Sequence, residues 1–264
     1  MNDFYSGVLG NLLKEGVITH EMRILVVCGA VADREILDAL GFKHVVISNL
    51  DVRYDGIQFT PFEWSHQDAE DLQFQDGEFD FCIAHNGLHH CSSPHRALLE
   101  MYRVAKKGLL VFEPRDSLLS RVGVSVGFGQ EFELSSVVAH DFKFGGVRNT
   151  FMPNYVYRWT EREIEKTITS FAPWGKHHFV YRYALRVPWD QLRARKNHLF
   201  YLLVRTLLPL VKLFTALVPK QANGFAFIVL KPRVPEDLHP WLGLEEQQIT
   251  INKNWATAQY TAPK

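Results

Sequence analysis

Neither sign of charge is in excess in these 264 residues: 29 Lys and Arg face 29 Asp and Glu. Without a positive surplus the chain is not held to nucleic acid by phosphate neutralisation, and that class of function is excluded. Cysteine is scarce as well. Cys28, Cys82 and Cys91 are an odd set without CxxC spacing, and Cys28 and Cys82 sit inside apolar runs. This excludes a disulfide-built scaffold and predicts reduced, mostly buried thiols in a cytoplasmic setting. The ligand spacing of zinc sites is missing, so no metal is expected. The N-terminus lacks the charged and apolar regions of a signal peptide. There is no GxGxxG loop, internal repeat or low-complexity tract.

Long apolar runs are nearly absent too. The one that approaches a membrane span, Leu199 to Val218, is interrupted by Arg205, Pro209 and Lys212. A helix over 197–219 is expected there, with both cations on one narrow stripe. It is read as a core or homodimer-interface helix, with a helix lying on a membrane surface as the alternative. What is present is ordinary for a soluble globular protein, 47% hydrophobic and 22% charged, and the length suits one large α/β domain.

The apolar pattern gives the order of elements. Asn2 to Glu15 has helical spacing, with Phe4, Val8, Leu9 and Leu12 on one side. Arg23 to Gly29 is a near-continuous apolar run, as a strand buried on both faces should be. Asp33 is a plausible N-cap for a helix over Arg34 to Leu40, which Gly41 ends. His44 to Leu50 is a second strand, and Phe79 to Ala84 a third after a loose stretch. A helix from Pro94 through Lys106, ended by Gly108, precedes a strand over Leu109 to Glu113. The first 115 residues thus read β-α-β-loop-β-α-β, the alternation of a doubly wound parallel sheet. Asp116 to Thr160 is long and irregular. Thr160 and Glu163 form a capping box for a helix over Glu161 to Ser170. His178 to Val187 and Gly224 to Leu230 are strands. Beyond Pro235 an extended tail is expected, anchored by Trp241.

Where the third strand should end, His85, Asn86, Gly87, His89 and His90 form an abrupt polar cluster. Ligands of open α/β sheets bind outside the carboxyl ends of the strands, so this cluster is a site candidate.

One run of residues is more specific. Asp68-Ala69-Glu70-Asp71-Leu72 is followed by Phe74, Asp76-Gly77, Phe79-Asp80 and Leu88-His89-His90. Glu100-Met101-Tyr102-Arg103-Val104 and Lys107-Gly108 come next. This order resembles the class I, Rossmann-like S-adenosylmethionine-dependent methyltransferases, especially the quinone-biosynthesis and small-molecule subgroup. The resemblance covers Ile24 to Pro114 closely. It implies a three-layer α-β-α sandwich, a mostly parallel sheet with an antiparallel C-terminal strand, and a helical or irregular insert. The single domain would have its core at 20–115 and 171–232, an acceptor-side insert at 116–170, the apolar helix 197–219 within the core, and a tail at 233–264.

The implied cofactor is S-adenosylmethionine. By the resemblance, the Asp68 carboxylate would accept from the adenine amine, the Ala69 backbone would meet the ring edge, and His85 and Asn86 would border the methionine part. The first loop departs from the family's acidic residue and three glycines: Val26 takes the acidic position, Cys28, Ala30 and Ala32 the glycine positions, and Gly29 is the only glycine. The ribose-binding carboxylate falls at Asn49, with Asp51 two residues on. Cofactor contacts are therefore expected from Cys28, Gly29, Ala30, Asn49, Asp51, Asp68, Ala69, His85 and Asn86.

Methylation of a hydroxyl calls for a general base, and His89 and His140 are candidates, with Asp141 as a carboxylate orienter. Arg148, Asn149, Asn154, Tyr155, Tyr157 and Arg158 have the composition of an acceptor pocket. Such a pocket suits a glycan, a lipid-linked sugar or a polar aromatic metabolite. A non-catalytic, cofactor-binding scaffold of the same fold is the alternative. A dinucleotide oxidoreductase is disfavoured by the missing GxGxxG.

Overall fold

The computed structural model describes residues 2–187, 189, 192 and 198–260. Short runs of branched and aromatic residues form a sheet buried on both faces. The chain runs α1 (Asn2–Lys14), β1 (Arg23–Val27), α2 (Val31–Ala39), β2 (His44–Asn49), β3 (Glu63–His66) and β4 (Phe79–His85). It continues through α3 (Pro94–Val104), β5 (Ala105–Pro114), α4 (Leu118–Ser125), α5 (Leu134–Ala139), α6 (Glu161–Phe171), β6 (His178–Ala184), α7 (His198–Leu217) and β7 (Gly224–Leu230). The strand order is β3-β2-β1-β4-β5-β7-β6. The pairs from β3 to β5 are parallel, and β7 runs antiparallel between β5 and β6.

Period-two alternation divides the strands between two cores. Leu25, Val27, Cys82, Ala84, Leu109, Val111, Phe225 and Phe227 join one core with α3 and α6. Ile24, Val26, Phe81, Ile83, Leu110, Phe112, Ala226 and Ile228 join the other with α1 and α2. That is the expected three-layer sandwich with its antiparallel C-terminal strand.

Several boundaries differ from the sequence reading. β3 falls in the stretch read as a loop; at four residues, with none of them buried, it has no apolar run to announce it. The helix after Pro94 stops at Val104, and Gly108 lies inside β5. Gly108 is there for space, because a Cβ would stand 2.5 Å from the Val229 carbonyl oxygen of the neighbouring strand. Asp33 is not the N-cap of α2. Ala30 is, and Asp33 reaches back from the third helical position to accept its N–H at 2.7 Å. The insert contains α4 and α5, and the tail holds a hairpin, β8 (Leu242–Glu245) with β9 (Gln248–Ile251), and a short helix, α8 (Lys253–Tyr260).

The apolar helix is α7, and it does not lie in the core; Asn197 falls outside the described residues. Leu202, Leu203, Leu207, Leu210, Leu213, Phe214 and Leu217 are all exposed. Among the described residues no helix is long and apolar enough to cross a membrane.

Arg103 shows why the Glu100–Val104 segment has its sequence. From α3 its guanidinium donates to Glu100, to Asp76 and to the carbonyls of Leu72 and Phe74, at 2.7–2.9 Å. One planar fork thus fastens the loop that carries Asp68 to the helix beneath it.

Candidate active site

The loops after β1 and β4 meet edge to edge and form the floor of the site. Cys28 has φ +55° and Asn86 φ +53°, left-handed torsions that a glycine adopts without strain. The demand for glycine falls elsewhere. A Cβ on Gly29 would stand 2.6 Å from the Ile47 side chain, and one on Gly87 would stand 2.3 Å from Cys28 Cβ. The loop therefore turns without the family's glycines because Gly87, on the facing loop, makes room for Cys28. The three cysteines are free thiols.

Asn49 has a part a carboxylate could not take. Its Nδ2 donates to the Gly29 carbonyl at 2.8 Å while its Oδ1 accepts the Asp51 N–H at 3.0 Å, tying the β1 loop to the end of β2. Asp51 is buried, and its carboxylate accepts from the backbone and guanidinium of Arg53. Burial pushes the Asp51 pKa up, but the Arg53 bonds outweigh it and hold the group below the usual carboxylate range.

A cavity of about 280 Å³ opens above this floor, at the carboxyl ends of β1, β2 and β4. Cys28, Ala30, Asn49, Asp51, Asp68, Ala69, His85 and Asn86 line it; of the expected cofactor residues only Gly29 does not. Arg148, Asn149 and His140 of the insert form its opposite wall. Arg148 closes on the cofactor side, donating to Asp68 at 2.7 Å and Glu70 at 3.1 Å. Glu70 in turn accepts the N–H groups of Ser92 and Ser93, each at 2.9 Å.

The other expected acceptor residues are elsewhere. Asn154 is buried and donates to the His89 carbonyl. Tyr155 is half-exposed and packs on Phe132. Tyr157 bonds Glu163, and Arg158 donates to the carbonyls of Val156 and Gln130. None of these four lines the cavity: Asn154 ties the insert to His89, while Tyr155 and Arg158 make these contacts within the insert.

The base candidates separate in the same way. His140 lines the cavity, and its Nδ1 donates to the Ser136 carbonyl at 2.7 Å, which leaves Nε2 as its lone-pair nitrogen. The orienter is thus a carbonyl one helical turn back, and Asp141, at φ +54°, does not line the cavity. His89 is buried away from the cavity, with Nδ1 on Glu113. Burial pulls its pKa down, but Glu113 and Glu133 outweigh that and raise it to about 10 in the metal-free protein. With no edge on the cavity, the ring is not placed to take a proton from an acceptor there, which corrects the expectation for His89 as base.

Behind the floor lies a buried polar cluster that sequence reasoning missed. Tyr5 Oη, Asp33 Oδ1 and His85 Nε2 are buried without hydrogen-bond partners among the described residues. The Tyr5 and His85 rings are 4.5 Å apart, and Asp33 Oδ1 stands 3.8 Å from His85 Nδ1. Burial, with the charge of Arg186 adding to it, lowers the His85 pKa to about 4, so the ring is neutral. Burial raises Asp33 to about 6, against the Ala30 N–H that lowers it. The native state then binds more protons than the unfolded chain between about pH 4 and 6, so stability falls as pH rises through that window. Asp33→Asn should be more stable than the parent at pH 7.5 by about 2–3 kcal/mol, with the gap closing near pH 4. Urea midpoints across pH check this; equal midpoints at pH 7.5 would contradict it.

Residues 28–112 match the model of a family described as a methyltransferase domain. That stretch is similar to a methyltransferase domain over less than half of the chain. No curated protein matches the chain in sequence. Among solved structures, YcgJ of Bacillus subtilis is 12% identical, with 87% of this chain and 99% of that one covered at a TM-score of 0.50. The [4+2]-cyclase SpnF is 16% identical, with 86% and 81% covered, also at 0.50. Magnesium protoporphyrin IX methyltransferase from Synechocystis PCC 6803, solved with SAH, is 12% identical, with 87% and 83% covered at 0.48. The first two show the fold alone.

The methyltransferase match begins at Cys28 and spans the strand-end loops that line one wall of the cavity. Arg53 and Tyr54 also line the cavity and were missed. The role of Arg53 depends on Asp51, and that of Tyr5, behind the floor, on partners brought in by the fold.

Proposed function

We propose that this protein transfers the methyl group of S-adenosylmethionine to a hydroxyl of a small polar molecule: a glycan, a lipid-linked sugar or a polar aromatic metabolite. The observation that carries the reading is the cavity itself, with the strand-end loops of the methyltransferase domain on one wall and a lone-pair imidazole, His140, on the other. When bound, the cofactor supplies an electrophilic methyl carried on a sulfonium. Asp68 and Ala69 would hold its adenine, through the carboxylate that Arg148 engages. Asp51 and Asn49 face the ribose. His85 and Asn86 would border the polar methionine end. His140 accepts the proton of the acceptor hydroxyl, and Arg148 and Asn149 exclude water above it.

α7 favours the lipid-linked member of that list. In sequence no acidic residue falls between Asp190 and Glu236, whereas eight Lys and Arg do. An exposed apolar helix amid cations fits the surface of an anionic bilayer. A scaffold that binds cofactor without turnover is the second reading, favoured by Asp51 and Asp68 both being held by arginines.

Differential scanning with S-adenosylmethionine, S-adenosylhomocysteine, NAD and NADP tests the assignment. Either sulfur cofactor at 100 times its Kd should add about 2.7 kcal/mol, and the nicotinamides nothing. No response to either sulfur cofactor rejects the reading. Tight binding without product across hydroxylated acceptors favours the scaffold. Sedimentation with phosphatidylglycerol vesicles that survives Arg205→Glu/Lys212→Glu unchanged rejects the role of α7.

A further inference from the structure

Glu113 is fully buried at the end of β5, where it accepts the Leu88 N–H at 2.8 Å and the His89 Nδ1. That carboxylate fixes the ring and turns its Nε2 the other way, toward Glu133 Oε2 at 3.3 Å. His90 Nε2 reaches the same oxygen at 3.4 Å. The three atoms all lie within 4.8 Å of one another. Glu133 comes from the insert, held by its N–H on the Asn154 carbonyl at 2.9 Å. Asn154 Nδ2 stands 3.4 Å from Glu133 Oε2 and donates to the His89 carbonyl at 3.1 Å, and Asn154 Oδ1 is buried without a donor among the described residues.

Both separations lie beyond the usual range of about 2.7–3.2 Å for a hydrogen bond from imidazole to carboxylate, at its long limit. Two ligands on a tetrahedral ion, each bound at about 2.0–2.1 Å, stand about 3.3–3.4 Å apart. The second shell is of the kind that metal-binding histidines have, a carboxylate on the far nitrogen fixing the tautomer.

We infer that His89, His90 and Glu133 form a site for a single divalent transition-metal ion, with Glu113 and Asn154 positioning the ligands. Two imidazoles and one carboxylate suit zinc or a neighbouring first-row ion and leave at least one position open. His90 lines the cavity, so the ion sits at its wall. An oxygen of the acceptor would take the open position, and only this last clause rests on the methyltransferase reading. Zinc-type spacing is missing because the third ligand is more than forty residues away and arrives with the insert.

The test strips the full-length protein with dipicolinate and titrates it with cobalt(II) and then zinc(II). One equivalent of cobalt should give visible absorption, intense for four-coordinate and weak for six-coordinate geometry, and zinc should abolish it. His90→Ala and Glu133→Gln, both at partly exposed positions, should each weaken zinc binding by at least about tenfold while the metal-free forms keep the parental circular dichroism. Failure of the parent protein to bind either ion at micromolar concentration overturns the proposal. So does parental affinity in both variants. Cofactor calorimetry on the same samples reports separately on the methyltransferase reading.

Discussion

Replacing His140 by alanine is expected to lower methyl transfer to a hydroxyl acceptor by about 10²–10⁴-fold, or about 3–5 kcal/mol of barrier, with cofactor affinity held within a few fold. The imidazole ends α5, and its Nδ1 proton is engaged by the Ser136 carbonyl. That bond fixes the tautomer, so the Nε2 lone pair is what the ring offers the cavity. A histidine that only closed a short helix would show a different pattern: a small loss of stability and no change in turnover per folded molecule. The measurement is S-adenosylhomocysteine release in the presence of phenols, sugars and polyprenyl-linked sugars, with the pH profile of kcat. Turnover equal to the parent would remove His140 as the base.

Gly87→Ala is expected to destabilise the protein by about 3 kcal/mol or more, at the upper end of what overpacking costs. The backbone at Gly87 has φ −120°, which any residue adopts, so the difficulty is space alone. The added Cβ would meet Cys28 Cβ at 2.3 Å and Cys28 Sγ at 3.3 Å, while the Cys28 carbonyl oxygen is farther, at 3.6 Å. Cys28→Gly deletes the two nearer atoms. It also relieves the φ of +55° at that position, worth roughly 1–2 kcal/mol, offset in part by the greater freedom of glycine in the unfolded chain. The double variant should therefore recover most of the loss, with a coupling energy well above the additive expectation. Urea unfolding of the four proteins measures it, and cofactor calorimetry reports whether the cavity floor returns with stability. Simple additivity would show that the seam between the β1 and β4 loops does not govern the site.

Much of this was legible in the residues because it depends on neighbours in sequence. Period-two alternation placed the strands, and β7 was bounded at Gly224 and Leu230 as observed. The Thr160–Glu163 capping box opened α6. Asp68 and Ala69, His85 and Asn86 line one cavity because each ends a strand or loop on the same edge of a parallel sheet.

Other features have no local signature. β3 is recognised by its ladder to β2, since its own residues are mostly polar. Gly108 reads as a helix stop until the Val229 carbonyl is seen beside it. Arg148 reads as an acceptor residue, yet it is paired with Asp68 across eighty positions of chain. His89 reads as a base until Glu113, from the next strand, and Glu133, from the insert, converge on it. Period, caps and turns are settled within a few residues, and the sequence alone determined the sandwich and the strand ends that line the cavity. Which charges meet depends on how β5 and the insert fold over that edge, and the tertiary structure alone decided that His140 faces the cavity while His89 faces two carboxylates.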